Sequence, residues 1–177
     1  MPQDPLLLRI QARDLHAFRL LVRRCVDSIY AIAFCILGTE IAADDAVQRV
    51  FLELWQQPSH FLDSSEPMLV LLFSRAVALS RAVKVQTTGE SAPAFESCEI
   101  PFTDKYPTRD SSTPLQRAFA LLPADERLIL LLCYSEGLSP RDIANIARLE
   151  PSLVTSVLAK NRNQLRRLLR VKNAQIP

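Results

Sequence analysis

The chain has 177 residues, room for one ordinary domain or two small ones, and 49% of them are apolar, enough for a core. The net charge of +2 conceals an uneven spread: residues 1–84 hold nine Lys and Arg against nine Asp and Glu, residues 85–112 two against five, and residues 113–177 ten against five. Three glycines leave little room for a phosphate-binding loop, and no nucleophile with a base or metal-ligand cluster stands out, so neither an enzyme nor a cofactor or metal site is expected.

The N-terminal Met-Pro-Gln-Asp-Pro lacks a basic flank followed by an apolar run, and no stretch approaches an uninterrupted membrane span, so a cytosolic protein is expected. Apolar residues recur at three and four throughout, which argues for an all-α fold. A helix is expected early in the chain. A long one follows from Asp14 to Leu37, ended by Gly38, then another from about Ile41 to Gln56 and one from about Glu66 to Lys84. Together these form a first module, residues 1–84. Within its third helix, Val47, Val50, Phe51, Leu54 and Trp55 share one side, while Asp44, Asp45, Gln48, Arg49 and Gln56 share another. By spacing alone such a polar face reads as solvated surface.

From Val85 to Ser112 periodicity disappears and Thr, Ser, Glu, Pro and Gly dominate, so residues 85–112 read as a flexible linker. The second module, residues 113–177, opens on a capping box with an internal proline at Thr113-Pro114-Leu115-Gln116. An apolar helix runs from Asp125 to Tyr134. Cys25, Cys35, Cys98 and Cys133 are widely spaced without a Cys-x-x-Cys pair, and His16 and His60 show no ligand spacing with them. Disulfides and metal binding are therefore not expected.

Leu138 to Arg167 has the pattern of a helix-turn-helix. Ser139-Pro140-Arg141-Asp142 supplies a capping hydroxyl, a proline for the first turn and an acid three residues on. Ile143, Ala144 and Ala147 form a short apolar stripe, and Glu150-Pro151-Ser152 separates this helix from the next. The second helix commits Leu153, Val154, Val157, Leu158, Leu165, Leu168 and Leu169 to packing. Ser152, Thr155, Ser156, Lys160, Arg162 and Arg166 are left on its other side, small polar and basic groups suited to base edges and phosphates in a major groove. A packed hairpin with a solvated charged face is the plainer alternative. The local basic excess weighs against it, because a phosphate backbone responds to local rather than overall charge.

Two segments resemble a known family. Ala43-Asp44-Asp45-Ala46-Val47-Gln48-Arg49-Val50-Phe51-Leu52-Glu53-Leu54-Trp55 resembles the signature helix in region two of bacterial sigma factors. Ala120-Leu121-Leu122-Pro123-Ala124-Asp125-Glu126-Arg127, Tyr134-Ser135-Glu136-Gly137-Leu138-Ser139 and Asp142-Ile143-Ala144 resemble region four. Their order, and the lack of a middle domain between them, resemble the two-domain extracytoplasmic-function class. The resemblance implies a subunit that binds core RNA polymerase through the first module, reads promoter DNA with both, and is held by an anti-sigma partner. It assigns Asp45 and Gln48, with Asp44 and Arg49 beside them, to polymerase docking, where carboxylate and amide acceptors suit a basic partner helix. Arg49 stands where the family usually has Glu.

By the same resemblance, Arg75, Arg81 and Lys84 would contact the downstream promoter element, although Ala76 and Ser80 replace the family's Asn and Asp. Arg141, Ser152, Thr155, Ser156, Lys160, Arg162 and Arg166 would contact the upstream element, with Arg148 in a turn where Gly is common and Val157 where Arg is frequent. Two further readings stand beside the promoter-specificity subunit. One is a sigma-like interaction protein that titrates an anti-sigma factor or occupies polymerase without opening DNA, favoured by Arg49, Ala76 and Ser80. The other is a free-standing helix-turn-helix repressor, which leaves the signature helix without a role.

Overall fold

The computed structural model describes residues 5–62, 66–88, 119 and 122–173, with side chains excepted at 87–88 and 164–173. Among these residues there are eight helices and no strand, the all-α fold expected. The chain divides into two compact units, 1–111 and 112–177. Most of the expected linker and the whole capping box at 113–116 lie outside the described residues, as do the side chains of Arg166, Leu165, Leu168 and Leu169.

The first unit holds α1 (Pro5–Gln11), α2 (Leu15–Leu37), α3 (Glu40–Gln56), α4 (Ser59–Leu62) and α5 (Met68–Thr88). Asp14 caps α2 by accepting hydrogen bonds from the amides of His16 and Ala17, and Gly38 ends it in a left-handed conformation with φ of 82°. The next helix starts two residues later, so α2 and α3 form a tight hairpin. They meet through Ala33, Phe34, Ala43 and Ala46, where small side chains let the backbones approach and Tyr30 and Leu37 close the edge. α5 packs against both α2 and α3. It buries Leu72, Phe73, Ala76 and Val77, and continues four residues past the expected end at Lys84.

The second unit holds α6 (Ala124–Tyr134), α7 (Pro140–Ala147) and α8 (Pro151–Asn173), each packed on the other two. Leu128, Ile129, Leu132, Ile143, Ile146, Ala147 and Val154 form its core. Ile146 joins the stripe expected from Ile143, Ala144 and Ala147. Leu153 departs from expectation: assigned to packing, it is 47% exposed. The reason is helical phase, because Val154 and Val157 occupy the inward side of α8 and Leu153 lies at its margin, about 100° of rotation from Val154.

Candidate polymerase-docking and DNA-binding surfaces

On α3 the apolar side is buried through Ala43, Ala46, Val47, Val50, Phe51 and Leu54, which turns the opposite side to solvent. Trp55 is only partly buried, at the edge of that packed side, where the Arg13 guanidinium lies 5.4 Å from its ring centroid. Asp44, Gln48 and Arg49 are exposed and Asp45 is half-buried. Arg49 Nε lies 2.8 Å from an Asp45 carboxylate oxygen, so the two charges expected to meet a partner are paired with each other one turn apart. Ile41 and Leu52, 86% and 54% exposed, fall on the same stripe as Gln48 at seven- and four-residue steps. Their spacing signalled a shared face. Their exposure depends on which side of α3 meets α2 and α5, which spacing leaves open.

On α5, Arg75 Nε donates to Glu53 on α3 at 2.6 Å, which ties the guanidinium to the signature helix. Glu53 had no expected role, since a pairing across 22 residues has no local sequence signal. Ala76 and Ser80 are fully buried, so the positions where the family carries Asn and Asp point into the bundle. Arg81 and Lys84 are partly exposed along the same helix.

In the second unit the helix-turn-helix is set by local chemistry. Ser139 Oγ accepts from the Asp142 amide at 3.2 Å and donates to the Asp142 carboxylate at 2.6 Å, with Pro140 in the first turn. The far end of α7 closes with Arg148 in the left-handed region at φ of 52°, and the Leu149 amide reaches back to the Ala144 carbonyl at 3.0 Å. Arg141 and Arg148 are exposed, as are Ser152, Leu153, Thr155, Ser156, Lys160 and Arg162 on α8.

On α8, the expected DNA contacts Thr155 and Lys160 are, like Arg75 on α5, engaged within the protein. Thr155 Oγ1 donates back to the carbonyls of Ser152 and Pro151, at 2.9 and 3.2 Å. Lys160 Nζ lies 2.8 Å from Glu126 Oε1, while the buried Asn161 amide donates to Glu126 Oε2 at 3.0 Å and to the Val157 carbonyl at 3.0 Å. Partial burial alone would raise the Glu126 carboxyl. The hydrogen bonds and charge from Lys160 and Asn161 outweigh it and hold the group below its ordinary value. Glu126 and Asn161 were missed from sequence because each needs α6 and α8 side by side.

No protein-family model matches the chain. Curated proteins are similar to it, and two of them carry informative names. One, named ECF RNA polymerase sigma factor SigE, from Mycolicibacterium smegmatis, is 27% identical over 82% of this chain. The other, named probable RNA polymerase sigma factor RfaY, from Xanthomonas campestris, is 27% identical over 85% of it. This chain spans 59% and 40% of their respective lengths. Among solved structures, the sigma factor RpoE from Bartonella quintana, in complex with the anti-sigma factor NepR, superposes with a TM-score of 0.60 at 22% identity, covering 87% of this chain and 97% of that one. The chain is similar in sequence to proteins named as RNA polymerase sigma factors. CnrH, solved in complex with the cytosolic domain of CnrY, superposes on this chain with a TM-score of 0.62 at 19% identity, covering 94% of this chain and 96% of that one. At these identities the superpositions establish the shared fold.

Proposed function

We propose that this sigma-factor relative directs core RNA polymerase to specific promoters. The solvent-facing side of α3, with Asp44, Asp45, Gln48 and Arg49, is the docking face. Arg75, Arg81 and Lys84 on α5 serve the downstream element. The exposed side of the helix-turn-helix, with Arg141, Ser152, Thr155, Ser156, Lys160 and Arg162, serves the upstream element, and Arg166, whose side chain lies outside the described residues, is assigned to it from the sequence alone. The observation that carries the reading is similarity to a named sigma factor over 82% of the chain, a span longer than either compact unit. The exposed polar and basic groups on α7 and α8 suit groove and phosphate contacts. An anti-sigma partner is part of the proposal, by analogy with the complex of RpoE and NepR. No described helix is long and apolar enough to cross a membrane, and the proposed work with polymerase is cytoplasmic.

Transcription in vitro with purified core polymerase on a genomic library tests this directly. Discrete, factor-dependent start sites are the expected outcome. A second reading, a protein that occupies polymerase or an anti-sigma factor without opening DNA, is favoured by the Glu53 pairing of Arg75 and the burial of Ala76 and Ser80. It predicts core binding without transcripts in the same assay.

A further inference from the structure

The docking face of α3 carries its own counter-charge. Arg49 Nε sits 2.8 Å from Asp45, with the two side chains 55% and 49% exposed, so the pair is open to an incoming partner. Gln48, Leu52 and Ile41 share the exposed stripe with Asp45, so a partner seated there reaches the pair and removes water from it. A partner cation approaching Asp45 meets a carboxylate already neutralised and a guanidinium of its own sign. The remaining acids along the helix are Glu53, which is paired with Arg75, and Glu40 and Asp44, whose charges, after burial, hold the Tyr30 hydroxyl above its ordinary value.

We infer that Arg49 is an affinity-limiting clasp on this face: in the free chain it holds Asp45, and docking on RNA polymerase requires Asp45 to exchange Arg49 for a cation of the polymerase. The inference rests on α3 being the docking face. An exposed pair one turn apart is weak, which sets the clasp to a several-fold attenuation and not a block. The consequence is a factor held below its attainable affinity for core enzyme, a disadvantage when it competes with other factors for the same polymerase.

The test titrates the full chain against core polymerase from its native host across a range of salt. Arg49→Gln is expected to tighten binding by about 2- to 5-fold at low salt, the gain shrinking as salt rises. Arg49→Lys keeps the charge and should keep binding near the starting affinity. Asp45→Asn weakens binding, and in that background Arg49→Gln should change affinity by less than about twofold, because the clasp has lost its target. Unchanged or weaker binding by Arg49→Gln, with Asp45→Asn still weakening, overturns the clasp and leaves the docking face standing. Unchanged binding by Asp45→Asn overturns both.

Discussion

At the residue scale, two helix ends are closed by arginine in a conformation that favours glycine, and their side chains have opposite consequences. Arg13, with φ of 62°, donates through its guanidinium to the Trp55 carbonyl and covers the Trp55 ring, so its side chain fastens the α1–α2 turn to the end of α3. Arg148 has the same backbone strain but an exposed side chain. Relief of left-handed strain, worth roughly 1–2 kcal/mol, exceeds the entropy glycine adds to the unfolded chain, roughly 0.5–1 kcal/mol. Arg148→Gly should therefore raise stability by about 0.5–1 kcal/mol, whereas Arg13→Gly should lower it; chemical denaturation of both variants checks the contrast. Ser80 offers a third case. Its hydroxyl is buried with no hydrogen-bond partner among the described residues, so Ser80→Ala should stabilise by about 1 kcal/mol, and a loss in the melting midpoint would reveal a partner.

At the element scale, the described basic side chains of α8, Lys160 and Arg162, differ in what holds them. Lys160 is committed to Glu126 on α6, and Arg162 faces solvent without that bond to the core. Arg162→Ala should lower the salt slope of promoter binding by about one while leaving the melting midpoint alone. Lys160→Ala should also cost stability, within about 1 kcal/mol because the ammonium is largely exposed. The Glu126 junction also carries a pH signature. Its folded-state carboxyl lies below the ordinary value of 4.5, so its stabilising effect is complete above that value and is lost as pH falls through the lowered one. Glu126→Gln should flatten the acid limb of the stability curve for this unit, measured as melts between neutral pH and pH about 3. Asp14 at the start of α2 has the same sign, lowered chiefly by the Ala17 amide and then by Arg9, so the first unit also weakens in acid.

At the scale of the whole molecule, the proposed docking face on α3 and the proposed upstream-element surface on the helix-turn-helix lie on separate compact units, each with its own core. Loss of one surface should therefore leave the other unit folded. Asp45→Ala combined with Gln48→Ala should abolish co-purification with core polymerase while the helical circular dichroism and melting curve stay as in the parent, since both side chains lie on the solvent side of α3. Retained co-purification would move the docking surface elsewhere on the molecule.

Helix identity and helix ends were legible in the sequence because their causes are local. Asp14, Gly38, Ser139 and Pro140 act on backbone groups within one turn, and the three-and-four spacing of apolar residues assigns an inward side to α3 and α7. The exposed polar strip with Asp44 and Gln48 followed from the same periodicity. What only the tertiary structure decided were the partners of charged groups and the rotation of α8. Arg75 with Glu53 and Lys160 with Glu126 join residues far apart in the chain, and Leu153 is outward because Val154 and Val157 claim the core. Even Arg49 with Asp45, a permitted one-turn pair, competes with solvent and with other neighbours. Periodicity specifies which side of a helix is wet, whereas the choice of ionic partner depends on distances set by packed helices.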